Sequence, residues 1–178
     1  MKQIKTKRLI MALADMNDLP ELEKIEKECD KYFSFDPKCE NNHSCSIKEC
    51  LTVGDIPPGG KKENYYFYCI WQNGILIGFL DYYLEYQQKD TVYLTSVYIK
   101  EAYRKNGIGS EILEALIQKF CTAHIKKIRL HVSLRNATAI RFWVKNGFDH
   151  IVDVECDGNI LPGNFGGIEL IRIISCAE

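Results

Sequence analysis

The sequence predicts a mixed α/β domain of the α+β kind. A central, mostly antiparallel sheet of six to seven strands carries one parallel pair and about four flanking helices. Three observations lead there. Two aromatic and β-branched runs meet at Asn73-Gly74, a strong signal for an antiparallel hairpin. Residues 109–123 then space Ile112, Leu113, Leu116, Ile117 and Phe120 along one helix face, between strand-like runs at 91–99 and 127–133. A helical crossover between two strands makes them parallel. Finally, 178 residues with 46% hydrophobic and 26% charged suit one globular domain, taken here as 1–178, with a sizeable core.

In chain order, residues 7–12 read as a first strand. Asp15, Asn17 and Asp18 offer N-caps ahead of Pro20 and Glu21. Leu19, Leu22, Ile25 and Cys29 recur at helical spacing over 18–30. Residues 31–63 form a long excursion, read as a substrate-side insertion, with a short helix at 46–52 and a proline–glycine loop at 55–62. Strands follow at 65–71, 75–86 and 91–99. After the helix at 109–123 and the strand at 127–133 comes a helix at 136–146, with Asn136 as N-cap and Gly147 just past its end. Strands at 148–156 and 168–175 flank a glycine-rich loop at 157–167.

Composition limits the function. The net charge of −1 gives no reason to expect nucleic acid or an anionic membrane as partner. No apolar run reaches the roughly 18 residues of a spanning helix. The basic start reaches Asp15 before a signal-peptide core can form, so a cytoplasmic location is expected. The eight cysteines are then expected as reduced thiols. Cys39, His43, Cys45 and Cys50 are soft ligands in a short span, but they lack a C-x-x-C pair and the two-knuckle layout of common zinc sites. Free thiols in the insertion are the preferred reading, and no metal is expected.

Residues 91–112 concentrate the chemistry. A strand at 91–99 leads into Arg104-Lys105-Asn106-Gly107-Ile108-Gly109-Ser110 and a helix. Glycines permit close backbone approach, and a helix N-terminus presents unpaired N–H groups and a positive dipole end. That combination grips a phosphate or pyrophosphate. Ile112 occupies the third glycine position of the dinucleotide fingerprint, and the Gly-Lys-Ser/Thr of a P-loop is absent.

The pattern Arg-x-x-Gly-x-Gly resembles the acyl-CoA pyrophosphate loop of the GNAT superfamily of N-acyltransferases. A second stretch, Asn136-Ala-Thr-Ala-Ile140-Arg-Phe142-Trp143-Val-Lys-Asn-Gly147-Phe148, is similar to that family's Asn-x-x-Ala-x-x-Phe-Tyr-x-x-x-Gly-Phe helix. The resemblance is concentrated in residues 91–148. It implies a fold whose parallel pair (91–99 and 127–133) splays apart to admit acyl-pantetheine. It also implies acetyl-CoA as co-substrate and transfer of its acetyl group directly to an amine acceptor of a small molecule or protein. Backbone contacts fall on Val97, Tyr98 and Ile99, and pyrophosphate contacts on Arg104 and Lys105 through Ser110. Asn136 and Phe142 complete the implied cofactor set. The oligomer is a monomer or homodimer.

The implied proton chemistry departs from the family. Trp143 stands at the usual tyrosine acid, and indole is not a useful proton source. Tyr98, Tyr103 or water remain to protonate the thiolate. Tyr93 stands at one family position for a carboxylate base. His131 stands at the other, where an imidazole suits an amine proton; Glu85 and Asp81 are reserves. Tyr32, Phe33, Phe35, Tyr82 and Tyr83, with Asp36 or Glu85, are candidates to line an amine site. The loss of the usual acid also keeps open a catalytically weak acyl-CoA sensor.

Overall fold

The computed structural model describes residues 3–33, 46–158 and 166–175. Eight strands form one sheet in the order β1-β2-β3-β4-β5-β6-β8-β7. These are β1 (Gln3–Lys5), β2 (Ile10–Leu13), β3 (Tyr65–Gln72), β4 (Ile75–Leu84), β5 (Thr91–Ile99), β6 (Lys127–Ser133), β7 (His150–Cys156) and β8 (Gly166–Ile173). Four α-helices lie among the described residues: α1 (Leu19–Phe33), α2 (Ile47–Thr52), α3 (Ile108–Thr122) and α4 (Ala137–Lys145). Among the described residues, every strand pair is antiparallel except β5–β6.

The sheet has one strand more than the upper count expected. Residues 7–12 are not a single strand. Thr6 closes a tight turn, its N–H donating to the Leu9 carbonyl (3.0 Å) and its hydroxyl accepting from the Leu9 N–H (3.0 Å). The chain therefore folds into a β1–β2 hairpin with Lys7 and Arg8 at the tip. A local side-chain hydrogen bond of this kind competes with continued strand pairing.

Strand alternation separates two cores. One holds Tyr68, Ile70, Leu80, Tyr82, Val92, Leu94, Ile128 and Leu130 against Ile108, Ile112, Leu116 and Phe120 of α3, with Ile140 and Trp143 of α4 packed on it. The other holds Phe67, Cys69, Phe79, Tyr83 and Tyr98 against Leu22 and Ile25 of α1 and Ile47 and Cys50 of α2. Burial of these side chains, at ~25 cal/mol per Å² of apolar surface, is the main term holding both layers. Lys119 adds a polar anchor for α3. Its ammonium donates to the Tyr68 hydroxyl (2.6 Å) and lies 4.9–5.6 Å from the ring centres of Tyr66, Tyr68 and Tyr82.

The short α2 forms where Ser46 supplies a full capping box. Its hydroxyl accepts from the Glu49 N–H while the Glu49 carboxylate accepts from the Ser46 N–H. Cys50 of this helix is buried; Cys39, His43 and Cys45 lie outside the described residues. Cys50, Cys69 and Cys156 stand outside any disulfide, whereas Cys121 is disulfide-bonded, contrary to the expectation of reduced thiols throughout.

Candidate active site

β5 and β6 pair only at Thr91↔Lys127, Val92↔Ile128 and Tyr93↔Arg129. Beyond them no further β5–β6 pair exists among the described residues, although both strands continue. β6 instead stays paired with β8 as far as Ser133↔Gly167, and β5 stays paired with β4 as far as Ile99↔Gly78. The result is a gap that opens toward the end of β5 carrying Val97 and Ile99.

A bulge stands at the mouth of this gap. Asp81 opposes Ser96 and Tyr82 opposes Leu94, so Thr95 is the extra residue on β5. Bulges re-aim side chains and redirect backbone groups. Next along the strand, the Lys100 N–H donates to the Ile77 carbonyl (2.8 Å). That bond makes Gly78↔Ile99 a non-hydrogen-bonded pair. Antiparallel alternation then makes Leu80↔Val97 another. The peptide N–H and C=O groups of Val97 and Ile99 consequently point away from β4, into the gap. The close strand approach requires glycine at 78, where a Cβ would come 2.1 Å from the Tyr98 carbonyl oxygen.

Past Ile99 the chain makes a short helical turn, Glu101–Tyr103, and then the basic glycine turn. Lys105 (φ 62°) and Gly107 (φ 77°) are both left-handed. Gly107 is the N-cap of α3 and brings no side chain to satisfy its first N–H groups. The N–H groups of Ile108, Gly109 and Ser110 therefore lack intrahelical acceptors and collect at the positive dipole end. Gly109 serves packing instead: a Cβ there would come 2.9 Å from the Phe142 ring. Phe142 thus seats α4 on the turn, and the two sequence motifs meet.

Arg104 turns back toward β5. Its Nε donates to the Ile99 carbonyl (2.6 Å), and its guanidinium lies 4.9 Å from the centre of the Tyr98 ring. That ring stacks on Phe79 (5.8 Å) on the α1/α2 side of the sheet. Asn136 caps α4, its Oδ1 accepting from the Ala139 N–H (3.0 Å). Trp143 packs edge-on against Phe142 and Phe148 at 4.8 and 5.1 Å.

The candidate proton-handling groups are dispersed. His131 is exposed, opposite Glu169 in the β6–β8 register. It lies two residues beyond the last β5–β6 pair, as Thr95 does on the other side of the gap. Glu169 is itself paired with Arg129 at 2.5 Å, near the closed end of the gap. Glu85 sits in a left-handed turn past the far end of β4, beyond Leu84↔Val92. The structure does not bring it to Val97. Asp81 is only 1% exposed, accepts from the Tyr65 hydroxyl at 2.7 Å, and opposes Ser96 beside the bulge. Burial pushes its carboxyl up to about 7, against the pull of Tyr65 and Ser96.

The aromatic candidates divide between the two faces. Tyr83 lies on the α1/α2 side, its hydroxyl accepting from the Lys61 N–H (2.7 Å). Tyr82 is fully buried on the α3 side and cannot line an amine site on the other face. Alternation along β4 sends these neighbours to opposite faces. The side chains of Tyr32, Phe33, Phe35 and Asp36 lie outside the described residues.

Arg8, which belongs to neither sequence motif, reaches this site from the β1–β2 turn. Its Nε donates to the Glu111 carboxylate (2.6 Å) and its NH1 to the Asn106 carbonyl (2.9 Å). Burial pushes the Glu111 carboxyl up, but hydrogen bonds from Thr6 and Arg8 outweigh it and hold the group below its ordinary value.

Residues 20–148 match the family model for the acetyltransferase (GNAT) family. The chain belongs to the GNAT acetyltransferase family. A human relative, spermidine/spermine N(1)-acetyltransferase-like protein 1, is 27% identical over 145 residues, covering 75% of this chain and 19% of that protein. The spermine/spermidine N(1)-acetyltransferase of Bacillus subtilis (strain 168) is 30% identical over 105 residues, covering 54% of this chain and 69% of that protein. The chain thus spans about a fifth of the human relative's length. A solved ribosomal L7/L12 alpha-N-protein acetyltransferase in complex with coenzyme A superposes with a TM-score of 0.73 at 17% identity, covering 97% of this chain and 98% of that one. At that identity the likeness concerns the GNAT fold. Among the described residues, no helix is long and apolar enough to cross a membrane.

Proposed function

We propose that this GNAT domain transfers an acetyl group from acetyl-CoA to a primary aliphatic amine, with a polyamine as the leading acceptor class. The observation that carries the reading is the gap between β5 and β6, into which the peptide groups of Val97 and Ile99 point. An extended pantetheine arm can pair with such groups as an added strand does. The uncapped start of α3 suits its diphosphate. On this reading Val97 to Ile99 hold the arm, Lys105 to Ser110 the diphosphate, and Phe142 and Asn136 the wall beside them. The acceptor class is supported by the polyamine substrates named for two relatives.

The proposed reaction forms an N–C bond and breaks the C–S bond. His131 takes the amine proton directly or through water. Tyr98 or water returns a proton to the departing thiolate. Aligning amine and thioester supplies much of the rate. Glu85 has no part in this scheme, since it lies at the other end of β4. Thiol release from acetyl-CoA, followed with spermidine, spermine, a lysine peptide and a free peptide N-terminus, tests the reading. Turnover with a polyamine and a kcat at least about tenfold lower in His131→Ala are expected. Coenzyme A binding without turnover across the panel would instead identify an acyl-CoA sensor, and peptide turnover alone would displace the polyamine.

A further inference from the structure

We infer that Arg8 is a positioning residue for the anion-binding turn, acting by fixing the orientation of the Asn106–Gly107 peptide. The inference rests on the reading above, that the turn at 105–110 receives the diphosphate of acyl-CoA. Arg8 is 98 residues from Asn106 in sequence, yet its NH1 donates to the Asn106 carbonyl at 2.9 Å. The peptide is trans, as are all those described. In a trans peptide the C=O and the following N–H point in opposite directions. Anchoring the Asn106 carbonyl on Arg8 therefore turns the Gly107 N–H away from Arg8.

Steric preference does not select this orientation. Gly107 is left-handed, and a Cβ built there would meet only Arg8, at 3.7 Å. Glycine tolerates several backbone conformations, so the peptide needs an external restraint to stay put.

Arg8 also manages a charge conflict. Glu111 lies in the first turn of α3, where a carboxylate would repel an incoming anion. Arg8 holds that carboxylate through both its Nε (2.6 Å) and its backbone N–H (3.0 Å), and Thr6 donates to it at 2.5 Å. One planar guanidinium thus bridges the turn and the helix start, a fork geometry that lysine cannot reproduce.

The test compares two thioesters with the same amine acceptor. Acetyl-CoA carries the diphosphate and acetyl-pantetheine does not. Arg8→Gln and Arg8→Lys are each expected to raise KM for acetyl-CoA and Kd for coenzyme A by about tenfold. kcat at saturating acetyl-CoA and kcat/KM for acetyl-pantetheine should stay within about twofold of wild type. Equal losses with both thioesters would show a general structural role and overturn the inference, as would unchanged coenzyme A affinity in either variant. Arg8→Lys keeps the charge and the aliphatic stem, so it serves if Arg8→Gln does not fold. Failure of the wild-type protein to bind coenzyme A would overturn the underlying reading, a result distinct from either of these.

Discussion

The Phe142 ring stands over Gly109 with no room for a side chain between them: a methyl group at 109 would come 2.9 Å from the ring carbons. Two motifs separated by most of α3 and by β6 are thereby locked into one wall. Gly109→Ala should destabilise the fold by about 1–3 kcal/mol through overpacking. Phe142→Leu in the same chain should recover part of that loss. A double-mutant cycle from thermal denaturation checks the coupling, and additive losses would show that the contact is slack.

Gly107 has a different reason to be glycine. Its φ of 77° strains any side chain, and on the proposed reading a carboxylate at the start of α3 would meet the diphosphate. Gly107→Glu is expected to abolish coenzyme A binding while the protein remains folded. Calorimetric titration beside a thermal melt measures both. Unchanged affinity would remove the turn at 105–110 from the cofactor site.

Gly78 lets β4 approach β5 at its gap-facing end. A Cβ would come 2.1 Å from the Tyr98 carbonyl oxygen, a backbone atom that cannot rotate aside. Gly78→Ala should cost about 3 kcal/mol or more, read as a lower urea midpoint. If the variant folds, its KM for acetyl-CoA should also rise, because Val97 and Ile99 move with the strand.

Asp81 links burial to pH. Its carboxyl is pushed up to about 7, above the roughly 3.9 of an unfolded aspartate. Between those values the folded state binds more protons than the unfolded state. The stability it contributes is complete below about 4 and is lost as pH rises through about 7. Asp81→Asn should flatten that decline by roughly 2–4 kcal/mol across the window. Urea denaturation at pH 4.5, 6 and 8 measures it, and parallel curves for the two proteins would show that the group titrates normally.

Local signals located most elements to within a few residues. The Asn73-Gly74 turn, the capping residue Asn136, and the apolar face of α3 are all short-range features, legible without neighbours. The first strand failed for an equally local reason, the Thr6 side chain closing a turn that periodicity does not register. The bulge at Thr95 had no local signature, since an extra residue exists only relative to the partner strand.

The sequence by itself determined the family, the position of the basic glycine turn, and the absence of the usual tyrosine at Trp143. Each depends on residue types at fixed spacing. Only the tertiary structure decided how the charges around that turn are used. Arg104, inside the motif, folds back on the Ile99 carbonyl and the Tyr98 ring, while Arg8, outside it, holds the Asn106 carbonyl and Glu111. It likewise sent Glu85 to the far end of β4 and left His131 two residues past the last β5–β6 pair. Long side chains choose partners by proximity in space, and that proximity is created by sheet pairing across many residues rather than by the neighbours a motif records.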